Sequence, residues 1–586
     1  METKICQNCK KEFRIEPDDF AFYEKISAPP PTWCPECRMR RRMLFRNEFI
    51  MYKHICPLCG KEGVSHFSSN VPFPVYCNEC WWSDKWDPAN YGRAYDPSKK
   101  FFDQWKELSD AVPRPNVEAY QNENSPYSDY TRFSKNVYLS PSTISSDNIG
   151  YSKGAWNCRD TFDSMVIQKS ESVYEAIDSE HCVNCMWISN CKDCMDSSYL
   201  FDCRNAVRCF MSSNLRNKKF VFRNQQLSEE EHYKKIDDIG QDYETHRALV
   251  KEYVEMRQHA LHRFANMIRC VNSIGDNLFN CKNSKYCFNA AGCEDIKYVV
   301  QGSNAKDVQD MYGVGDKPVS LLYDGVNVGY LDSNIYFSSN TFENCARVEY
   351  SDYCRTSEDL FGCVGLRKRQ YYILNKQYNA SEYKELRAKI MDDMIRNPYI
   401  NLSGLVYAYG EFFPWEFSPF SYNEAMAHFY YPVTKEKARE LGYKWHDSEV
   451  RDYSPTKFDK DLPETIKEID DSILSEVIGC AHKQECEHSC TFAFRIVPRE
   501  LEFYQRMNIP VPRLCPGCRV GERKALRNPI KLWLRTCNCG HQNKYQNTVK
   551  HDHGDSPCPN EFETSYAPER PEIVYCEECY LKEVVW

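Results

Sequence analysis

From Ser134 to about Ser212 the chain counts in sixes. Cut from Ser134, it reads SKNVYL, SPSTIS, SDNIGY, SKGAWN, CRDTFD, SMVIQK, SESVYE, AIDSEH, CVNCMW, and each block opens on Ser, Cys or Ala. The fourth position is held by Val137, Thr143, Ile149, Ala155, Thr161, Ile167, Val173, Ser179 and Cys185. Asn, Asp, Ser or Gly usually takes the third. Small or β-branched residues at two fixed phases, with turn-formers beside them, describe a stack of short strands whose rungs bury their inward residues only against neighbouring rungs. The expected class is therefore mainly β with inserted helices, built on a β-solenoid; the number of hexads per coil stays open.

The same phase bears on a motif that looks like a metal site. Cys182, Cys185, Cys191 and Cys194 spell C-x2-C-x5-C-x2-C. Yet every gap among the seven cysteines from Cys158 to Cys209 is a multiple of three, so all fall at hexad positions one or four. Buried free cysteine behaves as a small hydrophobe, and an inward ladder is the preferred reading of this run.

The ends of the chain carry a different cysteine pattern. Cys6/Cys9, Cys34/Cys37, Cys56/Cys59 and Cys77/Cys80 are four CxxC pairs within the first 85 residues. Two such knuckles complete a closed tetrahedral four-thiolate zinc site, whose work is to fold its module. Pairing in sequence order or as an interleaved cross-brace uses the same residues. From Phe494 to Asn528 the chain repeats Phe13 to Asn47 without gaps, with fifteen identities in thirty-five positions. The C-terminal ligands expected on this basis are Cys486, Cys490, Cys515 and Cys518, then Cys537, Cys539, Cys576 and Cys579. Cys486 and Cys490 are spaced CxxxC, so Cys480 or His488 is an alternative ligand. Cys558, His541, His551 and His553 are candidates for the second site, with surface positions the simpler reading for the histidines. About four Zn2+ per chain are expected.

CQNCKKEFRI, DDFAFY, Pro31 and CPECR, closing at Cys37-Arg38, resemble a small bacterial domain family described as a "probable zinc ribbon". The resemblance covers about 40 residues and implies a zinc site without an attached activity. YCNECWWSDKWDP from Tyr76 is similar to uncharacterised bacterial proteins, some of which carry a CoA-transferase label that nothing in these residues supports.

The domain order expected is tandem zinc ribbons at 1–85, an aromatic and Pro-rich linker at 86–133 and a first solenoid half at 134–227. A helical insertion at 228–268 follows, opened by the capping box Ser228/Glu231, then a second solenoid half at 269–378. A helix and aromatic-rich connector at 379–478 and tandem ribbons at 479–586 complete the chain. An internal duplication supports the two halves: LRNKKFVFRNQQLSEEEHY from Leu215 matches LRKRQYYILNKQYNASEY from Leu366. PSKKFFDQWKEL reads as a short amphipathic segment that packs onto a neighbouring module, ETIKEIDDSILSEVI from Glu464 as an amphipathic helix, and the aromatics of GEFFPWEFSPFSYNEAMAHFYYP, within 397–478, as packed core in preference to a docking surface.

Arg38, Arg40, Arg41, Arg42 and Arg46 form a stripe behind the second knuckle, either contacting phosphate or solvated and paired with acids. The C-terminal copy keeps Arg519, Arg523 and Arg527 but sets Glu522 opposite Arg41. A net charge of −9 argues against a generic nucleic-acid binder. The start METKICQNCK lacks an apolar signal core, and thirty-two cysteines point to a reducing compartment, so the expected location is the cytoplasm with no membrane partner. The leading function is a non-enzymatic scaffold for an unidentified protein partner. RNA or DNA binding through the arginine helices is the alternative, and an enzyme with its site on the solenoid face a third.

Overall fold

The computed structural model describes residues 1–586 apart from 316, 448–453, 541–544, 546, 555 and 586. The chain divides into two compact units: Met1–Val117 with Ala265–Asp447, and Glu118–Phe264 with Ser448–Trp586. The grouping is not sequential. In each unit a long parallel sheet carries cysteine-rich modules drawn from a distant part of the sequence, the N-terminal modules joining the later sheet and the C-terminal modules the earlier one.

In the earlier sheet, each residue pairs in parallel with one twelve further on. Val137 lies against Ile149, Ile149 against Thr161, Thr161 against Val173, Val173 against Cys185 and Cys185 against Ser197. Two hexads thus make one full advance of the register. The first and fourth hexad positions are buried from Ser134 to Cys185. The third and sixth positions both adopt the left-handed conformation, as at Asn148 and Tyr151, Asp160 and Asp163. That conformation costs a non-glycine residue about 1–2 kcal/mol, and Asn and Asp tolerate it best. Each such residue recovers a hydrogen bond, for instance Asp163 N–H to Gly150 O at 2.9 Å and Asn190 N–H to Ile177 O at 3.1 Å. Side-chain amides stack along the same columns: Asn148 Nδ2 donates to Asp160 Oδ1, and Asn184 Nδ2 to Asp196 Oδ1 at 2.8 Å.

The inward serines explain why so polar a residue lines a core. Ser146 Oγ donates to Ile144 O at 2.9 Å and accepts the N–H of Cys158, twelve residues on, at 3.0 Å. Ser164 and Ser170 repeat the arrangement with Ala176 and Cys182. Hydrogen bonds to both functions offset the desolvation cost of a buried hydroxyl, and cysteine is its near-isostere.

The later sheet has the same plan with a widened middle. Its register advances by twelve from Ile296 to Val308, by fourteen from Val308 to Leu322, and by thirteen to Ile335 and Val348, before returning to twelve at Leu360 and Tyr372. Both sheets end alike. A tight hairpin turns on Arg223-Asn224 in one and Leu374-Asn375 in the other, all four residues left-handed. Paired positive φ values are what a two-residue hairpin turn requires. Asn224 Oδ1 accepts Ser213 N–H and Asn375 Oδ1 accepts Val364 N–H, so the duplicated asparagines close equivalent edges. A capped helix follows each hairpin: Glu229–Asp237 behind the Ser228/Glu231 box, and Ala380–Arg396 behind Asn379/Glu382.

Two helical expectations fail. The run expected to reach Ile268 ends with the helix Tyr243–His259, and Leu261–Arg263 is instead a strand paired with Ile573–Tyr575. From Glu464 there are only short 3-10 turns, Ile466–Glu468 and Asp471–Ser475. Asp470 Oδ1 accepts Ser472 N–H, a local bond that competes with the helix. FFDQWKEL of the amphipathic segment lies in the helix Phe101–Ala111, and Tyr407, Phe412, Phe413 and Trp415 of the connector are buried.

Candidate metal centres

Each module places its second cysteine pair by one device. Cys34, Cys77, Cys515 and Cys576 cap helices beginning at Pro35, Asn78, Pro516 and Glu577, so the following Cys37, Cys80, Cys518 and Cys579 sit in the first turn. Free N–H groups and the helix dipole favour thiolate there. A short strand pair presents the other cysteines, as Glu2–Ile5 with Glu12–Ile15 does for Cys6 and Cys9.

Among the described residues these modules bring together groups of four sulfurs, each with all ligand atoms within 4.8 Å: Cys6/Cys9/Cys34/Cys37, Cys56/Cys59/Cys77/Cys80, Cys480/Cys490/Cys515/Cys518 and Cys537/Cys558/Cys576/Cys579. A tetrahedral ion with metal–sulfur bonds of about 2.3 Å holds its sulfurs about 3.8 Å apart. The separations are 3.7 Å for Cys9–Cys34 and Cys59–Cys77, 3.8 Å for Cys480–Cys518, 3.9 Å for Cys490–Cys515 and Cys558–Cys576, and 3.7 Å for Cys558–Cys579. The donor sets fit a metal ion, and the N-terminal modules pair their knuckles in sequence order.

The C-terminal groups differ from the expected ones. Cys490 keeps the place of Cys9, but Cys480 rather than Cys486 takes that of Cys6: Cys515 N–H donates to Cys480 Sγ as Cys34 N–H does to Cys6 Sγ. Cys486 lies beside the group, 3.6 Å from Cys518 Sγ, and His488 is not in it. In the last module Cys558 replaces Cys539, which turns towards His551 and His553. The cause is an enlarged knuckle that runs between the strands Trp533–Thr536 and Glu561–Thr564 and returns Cys558 to the base of the second. A signal existed: Cys558 precedes Cys576 by 18 residues, as Cys59 precedes Cys77. His541 lies outside the described residues.

In every group one thiol is drawn down. Hydrogen bonds from Cys34 and Cys37 lower Cys6, those from Cys480 and Cys518 lower Cys515, and Cys537 brings Cys576 to about 4. Burial raises Cys56, but the N–H groups of Cys77, Leu58 and Cys59 outweigh it and bring the thiol to about 7. The donors Cys37 and Cys518 rise in turn. One thiolate therefore forms readily, and four crowded thiolates need a cation.

The cysteines of the parallel sheets make opposite bonds. Cys191 S–H donates to Ser189 O and Leu200 O, Cys203 to Phe201 O and Ser212 O, and Cys363 to Phe361 O and Tyr372 O. A sulfur donating to carbonyls keeps its proton, whereas the terminal sulfurs accept N–H groups. Burial pushes Cys158 up to about 11 and Cys287 to about 12. Cys194 departs from this, drawn down to about 3 by the Cys182 and Cys191 thiols, though its own S–H faces Lys192 O and Cys203 O.

Arg38, Arg41, Arg42, Arg519 and Arg523 are buried in ion pairs rather than presented to phosphate or solvent. Arg38 reaches Asp310 at 2.9 Å, Arg42 bridges Asp310 and Asp324 at 3.2 and 2.6 Å, and Arg41 joins Asp324 and Glu411 at 2.8 Å each. All of these side chains are buried. Arg46 pairs with Glu48 at 2.6 Å over the Tyr312 ring, and Arg40, partly exposed, pairs with Glu36 and faces Tyr431. In the other unit Arg519 meets Asp163 and Glu500, Arg523 meets Asp163 and Glu175 at 2.8 Å each, and Arg527 meets Asp178 at 2.7 Å. Arg38/Arg519 and Arg42/Arg523, identical in the two copies, dock on left-handed acids of a parallel sheet in both units. The acids were invisible as partners because hundreds of residues separate them from the helices.

No family model matches the chain, and no curated protein matches it. Among solved structures, the chain is similar to one described as a "putative acetyltransferase" from Desulfovibrio desulfuricans G20, at 8% identity and a TM-score of 0.10, over 50% of this chain and 75% of that one. A similarity at that level carries no argument about fold or activity. No helix among the described residues is long and apolar enough to cross a membrane.

Proposed function

We propose that this is a zinc-binding, non-enzymatic cytoplasmic scaffold, built of two β-solenoid halves with two hexads per coil, each half clamped by a pair of zinc ribbons. The observation that carries it is the repeated docking of Arg38 and Arg42 on Asp310, and of Arg519 and Arg523 on Asp163, each from a helix whose first turn supplies two thiolates. Zinc folds the ribbon, the ribbon orients the arginine helix, and the helix covers one solenoid face. The uncovered face and its amide ladders are left for a protein partner, the use to which long stacked surfaces are suited. Free cysteines throughout suit a reducing compartment. Nucleic-acid binding through the arginine helices is not favoured, since their guanidiniums are spent on carboxylates.

The test is recovery of partners with the full chain from its own cells. A protein retained in high salt, insensitive to nuclease and lost on substituting exposed ladder residues such as Asn184 and Asp196, is expected. Recovery abolished by nuclease, with a steep salt dependence, would overturn the scaffold reading.

A further inference from the structure

The last module holds more donors than one ion uses. Besides Cys537, Cys558, Cys576 and Cys579, a second group of four ligand atoms lies within 4.8 Å: Cys539, His551, His553 and again Cys579. His553 Nε2 is 3.3 Å from Cys539 Sγ and 3.5 Å from Cys579 Sγ, and His551 Nδ1 is 2.7 Å from Cys539 Sγ. Metal–nitrogen bonds near 2.0 Å and metal–sulfur bonds near 2.3 Å set ligand edges of about 3.5 Å, which the two His553 distances meet and the His551 distance undercuts.

Both imidazoles are held as metal-binding histidines are. The far nitrogen of His551, Nε2, faces Glu583 Oε1 at 2.8 Å, and both side chains are buried. Glu583 is itself fixed by the N–H and hydroxyl of Thr548. The far nitrogen of His553, Nδ1, faces Ser556 O at 2.6 Å. An acceptor at each far nitrogen places the proton there and leaves Nδ1 of His551 and Nε2 of His553 as lone pairs aimed at the sulfurs. Asn547 Nδ2 donates to Cys539 Sγ at 3.1 Å, as expected of a thiolate. A simple thiolate–imidazolium pair would need one imidazole; the second, reaching both Cys539 and Cys579, is what a shared cation explains.

We propose that the enlarged knuckle builds a second metal site, Cys539/His551/His553/Cys579, and that the Cys579 thiolate bridges it to the four-thiolate site. The module would then hold a binuclear zinc cluster. Mixed sulfur and imidazole donors suit zinc, and the buried bridge makes the site structural. The proposal rests on the four-thiolate reading of Cys537, Cys558, Cys576 and Cys579.

Native mass spectrometry and elemental analysis of the full chain test it. About five zinc ions per chain are expected, four from the four-sulfur groups and one from this site. His551→Ala with His553→Ala should remove one ion and leave the rest. In the cobalt(II)-substituted protein, the bridging thiolate should couple two ions magnetically, a signature absent from isolated sites. Four ions in the parent without coupling, or five in both parent and double variant, would overturn the second site alone. A parent count of three or fewer would overturn the four-thiolate reading beneath it. If the double variant does not fold, the parent's count and its magnetic coupling still decide the matter.

Discussion

Replacing Asp324 by Asn isolates the energy that docks the N-terminal arginine helix. Asp324 is left-handed at φ 45°, a conformation Asn adopts as readily, so the exchange leaves the backbone undisturbed. It removes one of three carboxylates facing three guanidiniums: Asp310, Asp324 and Glu411 against Arg38, Arg41 and Arg42, all essentially sealed from water. Arg41 meets Asp324 at 2.8 Å, and the exposed pair Lys437–Glu440 has the same separation. The separation is the same, while burial and a second partner, Arg42 at 2.6 Å, distinguish Asp324. At 2.8 Å the Coulomb attraction is about 6 kcal/mol at an effective dielectric of about 20, and about 1.5 kcal/mol in bulk water. Truncating one partner of a buried set leaves an uncompensated charge and costs about 3–5 kcal/mol, whereas an exposed pair contributes about 0–1 kcal/mol. Hydrogen exchange of the metal-loaded full chain reads this over the helix Pro35–Met43. Asp324→Asn should lower amide protection there by about two to nearly four decades, and Glu440→Gln should lower protection of its own helix, Lys435–Glu440, by less than one, at about 1.4 kcal/mol per decade. Equal, sub-decade losses in both variants would refute the docking argument.

Four further outcomes are expected. Glu175 lies among Arg523 and Asp163, and burial first, then Asp163, raises its carboxyl to about 8 against the attraction of Arg523. The folded chain therefore binds a proton that the unfolded chain has lost above about pH 4.5, so this group's contribution is full below that pH and fades as pH rises through about 8; Glu175→Gln should flatten the decline in urea titrations, and an unchanged slope would refute the assignment. Chelation should raise exchange in Pro516–Ala525 and Pro35–Met43 while sparing Val137–Cys185, and simultaneous loss of both would show that the sheets too depend on metal. Ile149→Asp buries an unpaired charge in a fully enclosed rung and should leave the earlier sheet unfolded by circular dichroism; a folded variant would place Ile149 outside the core. Thiol titration of the native protein should find the buried sheet cysteines from Cys158 to Cys363, all but the half-buried Cys270, unreactive until denatured and free of metal, whereas metal held by Cys182, Cys185, Cys191 and Cys194 would overturn the separation of thiols from ligands.

Much of the local plan was legible in the residues. Inward positions one and four of the hexad were marked by Ser, Cys, Val and Ile because a rung must be small or β-branched to stack, and the structure buries them. The duplicated Asn224 and Asn375 marked equivalent ends because a two-residue hairpin needs left-handed residues. The register of twelve was not legible, since every multiple of the hexad presents the same inward pattern. Position six escaped notice as a second turn because Tyr151, Glu175 and Trp187 stand there. Their strain is offset by hydrogen bonds to the rung before, which no sequence window contains. The ligand sets were legible where the knuckles are compact, at Cys6/Cys9 and Cys56/Cys59. They differ from the expectation where an enlarged knuckle separates its two cysteines, Cys480 standing where Cys486 was expected and Cys558 where Cys539 was expected. Which modules join which sheet, and where the arginines go, only the tertiary structure decided. A guanidinium pairs with whatever carboxylate the fold brings within about 3 Å, and Asp310, Asp324, Asp163 and Glu175 look in sequence like any other turn residues of a repeating strand.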